Sequence, residues 1–266
     1  MQITANAWNE YITRLSRLNQ KAGQLMRQYI DTHGTESTDD LIAYAYGLVT
    51  KYGEGSAELA CQMYDALAEA ANAGVPAAEP ATPADYGEVA RMVNATKNQN
   101  PANLPNGVSR LVKRAGADTT LKNAVRDGAE WAWVPHGDTC PFCITLASNG
   151  WQKASSKVLK GGHAEHIHAN CDCEFAIRFD HKTTVAGYDP DKYLAQYNAA
   201  GGDINKMRRV NYAANRERIN AQKRAAYAER KLSTNEGNVA IIKAKESRSR
   251  QFVSEQLFQK HYNKHL

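Results

Sequence analysis

The sequence of 266 residues has no apolar run long enough to cross a membrane. Its best apolar stretch, residues 41–49, makes about two to three helical turns, whereas a membrane-spanning helix needs about 20 residues. The first residues, from Met1 to Thr4, lack the basic and apolar segments of a secretory signal peptide. We therefore expect a protein of a reducing cytoplasm with no membrane partner.

The sequence also lacks a visible group of acid, base and nucleophile that could form an active site. Its mean hydropathy of −0.60 is polar although its hydrophobic content of 42% is ordinary. This balance suits long exposed helices better than a compact α/β enzyme. We expect a protein that is not an enzyme, with no catalytic residues, no cofactor-binding residues other than metal ligands and no small-molecule substrate.

Cysteine is scarce, but four of the five cysteines fall in two close pairs. Cys140 and Cys143 form a C-x2-C pair, and Cys171 and Cys173 form a C-x-C pair. A C-x2-C turn directs two thiolates at one point, and a second pair completes the tetrahedron that zinc prefers. An iron–sulfur cluster or a redox-active thiol group is a weaker alternative, because nearby histidines are more usual for zinc. The pattern predicts one structural Zn²⁺ ion.

The ligand set has two versions. Residues 173–179 alternate between apolar and polar side chains, which predicts a half-buried strand on which Cys171 and Cys173 share a face. That arrangement favours an all-cysteine site. The alternative replaces one cysteine of the second pair with His168, because His168 and Cys171 have the spacing of a chelating turn. The candidate metal ligands are Cys140, Cys143, His168, Cys171 and Cys173.

A metalloenzyme is a third interpretation of this region. Zinc deaminases combine an H-x-E motif with P-C-x-x-C, and residues 163–165 read His-Ala-Glu. In this chain the order of the two motifs is reversed, and the proline lies inside the cysteine pair. His163, Glu165 and His168 would be the only candidate active groups, so we favour a structural site.

The pattern along the chain predicts a mainly α protein with three parts. These are a helical domain over residues 1–128, a small zinc-stapled β element over 129–182 and an extended helical C-terminal arm over 183–266. Short strands are expected near residues 131–134 and 173–179, with an Asn-Gly turn at residues 148–151 between them. Residues 76–83 are expected to be a linker and residues 98–107 a polar loop.

Apolar spacing and capping residues set the expected helices. Thr38 or Ser37 caps the second helix, which we expect to stop near Gly53, and Thr82 caps the fourth with Pro83 at its first position. Asp189 and Asp203 cap helices after the cysteine region. The expected helices cover residues 4–31, 38–53, 57–73, 83–97, 108–115, 119–127, 190–200, 204–232 and 246–262.

Positive charge is concentrated in one expected helix. Residues 204–231 contain nine basic and two acidic side chains, a balance of +7 in a chain whose net charge is +5. Such a helix is a solvated face, a partner helix or a sequence-independent contact to DNA phosphates. The alternative function is therefore a zinc-containing nucleic-acid-binding protein. Its candidate DNA contacts are Arg208, Arg209, Arg216, Arg218, Lys223 and Arg224.

Two parts of the sequence resemble minor head proteins of tailed bacteriophages, related to the phage Mu F-type head morphogenesis family. The segments that carry the resemblance are residues 57–60, 64–67, 138–143, 146–148, 150–151 and 168–173. This chain reads His-Ala-Asn-Cys-Asp-Cys where that family more often has His-Pro-x-Cys-Arg-Cys, which keeps every sulfur in place.

The resemblance implies a minor component of a phage head. Such a protein would assemble in the host cytoplasm with portal protein, major capsid protein or both, and would then reside in the virion head. It could also accompany the packaged double-stranded DNA. Some Mu F-type chains carry a toxin domain after the signature, and the C-terminal residues here offer no catalytic group that would support that activity.

Overall fold

The computed structural model describes residues 1–137, 139–157, 172–225 and 227–228. The chain divides into two units, Met1–Met207 and Arg208–Leu266. The predicted mainly helical class is confirmed, and the division at residues 128 and 182 stays a prediction. The end of the basic helix at residue 232 and the expected helix 246–262 lie outside the described residues. No described helix is both long and apolar enough to span a bilayer.

The first two helices each begin after a capping residue, close to the expected starts. Helix α1 (Ala5–His33) follows Thr4, whose side-chain oxygen accepts a hydrogen bond from the Ala7 amide at 3.2 Å. Helix α2 (Thr38–Ala70) follows Ser37, whose hydroxyl accepts from the Asp40 amide at 3.4 Å. These bonds satisfy amides that have no partner within the helix, and they confirm both predicted starts.

Helix α2 does not stop at Gly53, so the prediction of two helices in this region was wrong. A Cβ atom on Gly53 would lie 3.0 Å from Cβ of Pro83 and 3.5 Å from Cβ of Ala115. The glycine therefore permits a close approach of neighbouring backbone inside a continuous helix. Tertiary packing outweighs the low helix propensity of glycine at this position.

The helices after residue 82 also differ from the prediction. Helix α3 (Tyr86–Gln99) is capped by Asp85, whose carboxylate accepts from the Glu88 amide at 2.7 Å, and not by Thr82. The expected polar loop contains a 3-10 turn at Pro101–Asn103, and α4 (Leu104–Asp127) is one helix instead of two. Gly116 lies at the crossing with α2, because a Cβ there would be 2.6 Å from the Ser56 hydroxyl.

The strands form two small sheets. In the larger sheet, the central strand β2 (Glu130–Val134) is antiparallel to both its neighbours, β3 (Gln152–Lys153) and β4 (Glu174–Arg178). In the smaller sheet, β1 (Gln2–Ile3) pairs with β5 (Thr184–Val185) in parallel. The predicted strands near residues 131–134 and 173–179 are confirmed as β2 and β4. The remaining elements are α5 (Pro141–Ala147), α6 (Pro190–Ala199) and the helical residues 204–225, called α7.

Two hydrophobic cores lie within the first unit. The aliphatic core joins α1, α2, α3 and α4, and its buried members are Ala22, Met26, Leu41, Ile42, Ala45, Leu48, Val49, Ala84, Val89, Val93, Leu104, Val108, Leu111 and Val112. The aromatic core joins the other ends of α1, α2 and α4 to the sheet. Its large buried members are Trp8, Tyr11, Ile12, Leu15, Tyr64, Leu121, Trp131, Trp133, Phe175 and Ile177.

Residues 76–84 form an extended strap against α2 and α4, where a linker was expected. Asp65 and Thr119 accept hydrogen bonds from the strap amides of residues 78 and 81, at 2.7 and 2.9 Å. Asn123 both accepts from and donates to the backbone of residue 79 at 2.9 Å. Arg126 donates to the carbonyls of residues 76 and 77. The strap is thus bound by helix side chains, which satisfy its backbone groups.

Candidate metal centre

The first cysteine pair lies at the start of α5. Cys140 is the N-cap residue of that helix, and Cys143 lies in its first turn with 1% of its surface exposed. The C-x2-C pair is therefore presented by a helical turn and not by a hairpin. Cys143 belongs to the aromatic core, and Cys140 is partly buried against it.

Cys173 lies at the end of the sheet from which the chain leads into α5. It directly precedes β4, and β4 runs antiparallel to β2 with Glu174 opposite Val134. β2 ends at Val134, and the chain then leads to α5. The start of β4 and the segment that leads into α5 therefore lie at the same end of the sheet. Cys173 is fully buried within the aromatic core that also contains Cys143.

Two of the five predicted ligands, His168 and Cys171, lie outside the described residues, as do His163 and Glu165. Among the described residues, no three His, Cys, Asp or Glu side chains are grouped as a metal site requires. By chemistry, the thiols of Cys140, Cys143 and Cys173 fit zinc, and the set would be completed from the undescribed segment. The zinc ion and the choice between its two ligand sets stay predictions.

Strand β4 is buried on both faces. The prediction of a strand is confirmed, but the prediction that one face would be exposed to solvent was wrong. Phe175 and Ile177 lie in the aromatic core, as the alternating pattern predicts. Ala176 and Glu174 on the other face are also buried, although the pattern placed them toward solvent. Helix α4 covers this second face and provides the partner of the buried carboxylate.

That partner is Lys113, which the sequence analysis did not identify. Its ammonium lies 3.3 Å from Oε1 of Glu174 and donates a hydrogen bond to the carbonyl oxygen of Cys173 at 2.9 Å. The two charged side chains are only 2% and 5% exposed. A signal was present in the sequence, because Lys113 lies among apolar and small residues that α4 buries. These are Leu111, Val112, Ala115, Gly116 and Ala117.

A second helix holds the residue before Cys173. The hydroxyl of Ser16 on α1 donates to Oδ1 of Asp172 at 2.6 Å. Burial and the nearby Glu174 carboxylate raise the pKa of Tyr11, also on α1, well above its ordinary value, so this phenol stays neutral. The segment at Cys173 is therefore bound to α1 through Asp172 and to α4 through Glu174 and the Cys173 carbonyl.

The expected Asn-Gly turn does not connect two strands of a hairpin. It follows α5, where the Gly150 amide donates to the carbonyl of Ala147 at 3.2 Å, and leads into β3. Trp151 lies under the guanidinium of Arg178 at 4.5 Å. Arg178 also donates to Glu130 at 2.6 Å, so the turn is attached to the sheet edge through one arginine.

The basic segment is helical over residues 204–225, and its start at Asp203 is confirmed by bonds from the amides of residues 205 and 206. Three of the candidate DNA contacts, Arg209, Arg216 and Lys223, are seven residues apart and lie on one line of the helix, about 10.5 Å from one to the next. Arg224 pairs with Glu217 at 2.8 Å. Arg208 and Arg218 lie on the same helix, and DNA contact by any of the six stays a prediction.

The comparison with protein families identifies the class of the chain. A family model matches residues 2–200, which include every described element from β1 to α6. The match makes this a phage protein. It belongs to the VG15 protein family. No curated protein and no solved structure matches the chain. The matched region contains both cysteine pairs and ends before α7.

Proposed function

We propose that this phage protein is a minor structural component of the virion head, which assembles with portal protein, major capsid protein or both. The observation that carries the proposal is the cysteine signature: Cys143 and Cys173 are buried in one core at one end of the sheet. The same signature carries the resemblance to minor head proteins, and it lies inside the family match.

In this proposal zinc has a structural role and the protein is not an enzyme. Zinc would join the start of α5 to the start of β4 through Cys140, Cys143 and Cys173, with Cys171 or His168 as the fourth ligand. A catalytic zinc needs an open position for water, whereas this chain offers four or five protein ligands. The ion would cross-link a sheet whose strands are too short to be stable alone.

The location of the protein is tested with purified particles. Mass spectrometry of DNA-filled heads separated on a density gradient should detect the chain in far fewer copies than the major capsid protein. Mild dissociation of the heads should release it together with portal or capsid subunits. Detection in the infected-cell lysate with none in any head fraction would overturn the proposal.

The structural role of zinc is tested in the purified protein with two matched serine variants. Elemental analysis should find one zinc per chain in the wild type and in Cys61→Ser, because Cys61 lies outside the signature. Cys143→Ser should lose the ion, and a phage carrying it should assemble defective heads. Zinc loss without any effect on heads would refute the link between the metal and assembly.

A second candidate function is contact with packaged DNA through α7, favoured by the line formed by Arg209, Arg216 and Lys223. Side chains that neutralise phosphates release counterions, so each contact should add about 0.9 to the slope of log affinity against log salt. Reversal of Arg216, Arg218, Lys223 and Arg224 to glutamate should abolish duplex binding at low salt.

The control for this experiment reverses four exposed basic residues on α1 and α2, namely Arg17, Lys21, Arg27 and Lys51. It changes the net charge by the same amount without touching α7. We expect the control variant to retain most of its salt-dependent binding. If the two variants lose DNA affinity equally, only the net charge of the protein matters. If the α7 reversal leaves DNA affinity unchanged, α7 is a solvated face.

A further inference from the structure

The backbone at Cys173 lies just beyond the end of the sheet. The β2–β4 ladder ends with Val134 opposite Glu174, and the next residue opposite Cys173 is Pro135. Proline has no backbone N–H, so it cannot donate a ladder hydrogen bond at this position. The carbonyl of Cys173 instead accepts a hydrogen bond from the Lys113 ammonium at 2.9 Å.

The same ammonium also fixes the next residue. Lys113 forms a buried ion pair with the Glu174 side chain at 3.3 Å. Buried ion pairs often add little to stability compared with apolar side chains of similar size, and their best-supported role is to specify one arrangement. Here the arrangement is the strand register, because a slip of one residue would turn Cys173 to the opposite face.

We propose that Lys113 is the positioning residue of the metal site: it fixes the register of β4 so that Cys173 is presented to the metal. This inference rests on the proposed structural zinc. Lys113 acts through the backbone of a ligand residue and is not itself a ligand. The bond from Ser16 to Asp172 supports the same segment from α1. Partners of this kind typically change metal affinity about 10–100-fold when they are removed.

The test compares two adjacent lysine and arginine positions on α4. Lys113→Met keeps the length of the side chain but removes the charge and the donor. Arg114→Met is the matched control, because it removes the neighbouring positive charge on α4, which pairs with Glu88 on α3 and with Asp118 on α4. For each protein, zinc transfer to a chromogenic chelator, the absorption spectrum of the cobalt(II)-substituted site and urea unfolding are measured.

We expect Lys113→Met to release zinc about 10–100-fold faster than the wild type and to shift the cobalt bands that report thiolate geometry. Arg114→Met should lose stability toward urea but keep the wild-type release rate and cobalt spectrum. If the wild type contains zinc and Lys113→Met has the same release rate and cobalt spectrum as the wild type, the positioning role of Lys113 is overturned. The proposed zinc site would be unaffected by that result.

A double variant keeps the test decisive if Lys113→Met folds poorly. In Lys113→Met with Glu174→Leu, no buried carboxylate is left without its cation, so stability should recover. Zinc release should stay fast, because the donor to the Cys173 carbonyl is still absent. Recovery of slow release in the double variant would mean that Lys113 is only a structural ion-pair partner. Wild-type protein without zinc would overturn both this inference and the proposed metal site.

Discussion

The aliphatic and aromatic cores share α1, α2 and α4 but are built from different side chains. The aliphatic core buries Leu, Val, Ile, Met and Ala from four helices. The aromatic core buries three tryptophans and Phe175 together with Cys143 and Cys173. It also borders the buried ion pair between Lys113 on α4 and Glu174 on β4.

This difference separates two ways of specifying a fold. Helical periodicity is enough to define the aliphatic core, because apolar residues at three- and four-residue steps face one another on neighbouring helices. The aromatic core depends on pairs far apart in sequence, such as Trp133 and Phe175, whose rings meet edge to face at 4.7 Å. Such pairs and a buried ion pair select one strand register, which aliphatic packing does not.

The largest effect should come from the aromatic core. Trp133→Ala removes a side chain that is 1% exposed and is expected to lower the free energy of unfolding by about 3–5 kcal/mol. Leu111→Ala in the aliphatic core should cost about 2–5 kcal/mol, toward the lower end because less surface is lost. Urea unfolding of both variants checks the order, and a larger cost for Leu111→Ala would remove the distinction between the cores.

Two probes can show whether the cores unfold together. All four tryptophans belong to the aromatic core or pack against it, so tryptophan fluorescence reports that core, whereas far-UV circular dichroism reports the helices. Because α1, α2 and α4 run through both cores, we expect coincident transitions in urea. Loss of fluorescence before loss of helix signal would support an independent β element with a boundary at residue 128.

An intermediate effect is expected from two glycines inside helices, Gly116 at the crossing of α2 and α4 and Gly47 on an open face of α2. Gly116→Ala would bring a Cβ to 2.6 Å from the Ser56 hydroxyl and 3.1 Å from its carbonyl oxygen, so overpacking should cost about 1–3 kcal/mol. Gly47→Ala on α2 meets no atom within 4 Å and should stabilise the protein by about 0.5–1 kcal/mol. Thermal unfolding should therefore show shifts of opposite sign, and shifts of the same sign would contradict the packing argument.

The smallest expected effect is the loss of stability at low pH when Asp180 becomes protonated. Burial raises the pKa of the Asp180 carboxyl, but hydrogen bonds from the Thr183 and Lys182 amides outweigh it and lower the pKa to about 2. A lowered folded-state pKa contributes stability above the unfolded value of about 3.9, and this contribution is lost as pH falls toward 2. The stability difference between wild type and Asp180→Asn should therefore narrow below about pH 4, and a constant difference down to pH 2 would refute this.

Local signals in the sequence predicted the elements that depend on local contacts. Ser37 and Asp189 cap helices as expected, and the alternation around Phe175 identified β4. Gly53 and Gly116 were misleading, because glycine at a helix crossing and glycine at a helix end look the same in a sequence. The burial of Glu174 depends on Lys113, 61 positions away, and no local pattern shows that pairing.

The candidate metal site was predicted from spacing alone, and spacing gave only part of its geometry. It grouped the cysteines, but it could not show that Cys140 caps a helix or that β4 is covered by α4. Those features follow from the antiparallel register of β2 and β4, which long-range packing determines. His168 and Cys171 lie outside the described residues, so the choice of ligand set still depends on sequence.

The strap at residues 76–84 has a consequence for how the sequence can vary. Asp65, Thr119, Asn123 and Arg126 form hydrogen bonds with its main chain. The exposed strap positions 76, 77, 79, 80 and 82 should therefore accept many different amino acids, whereas the buried Ala81 and Ala84 and the four helix residues should accept few. A library of all single substitutions should show that the exposed strap positions tolerate change and that the four helix positions do not. The conformation of the strap is therefore determined largely by side chains of the helices that it crosses.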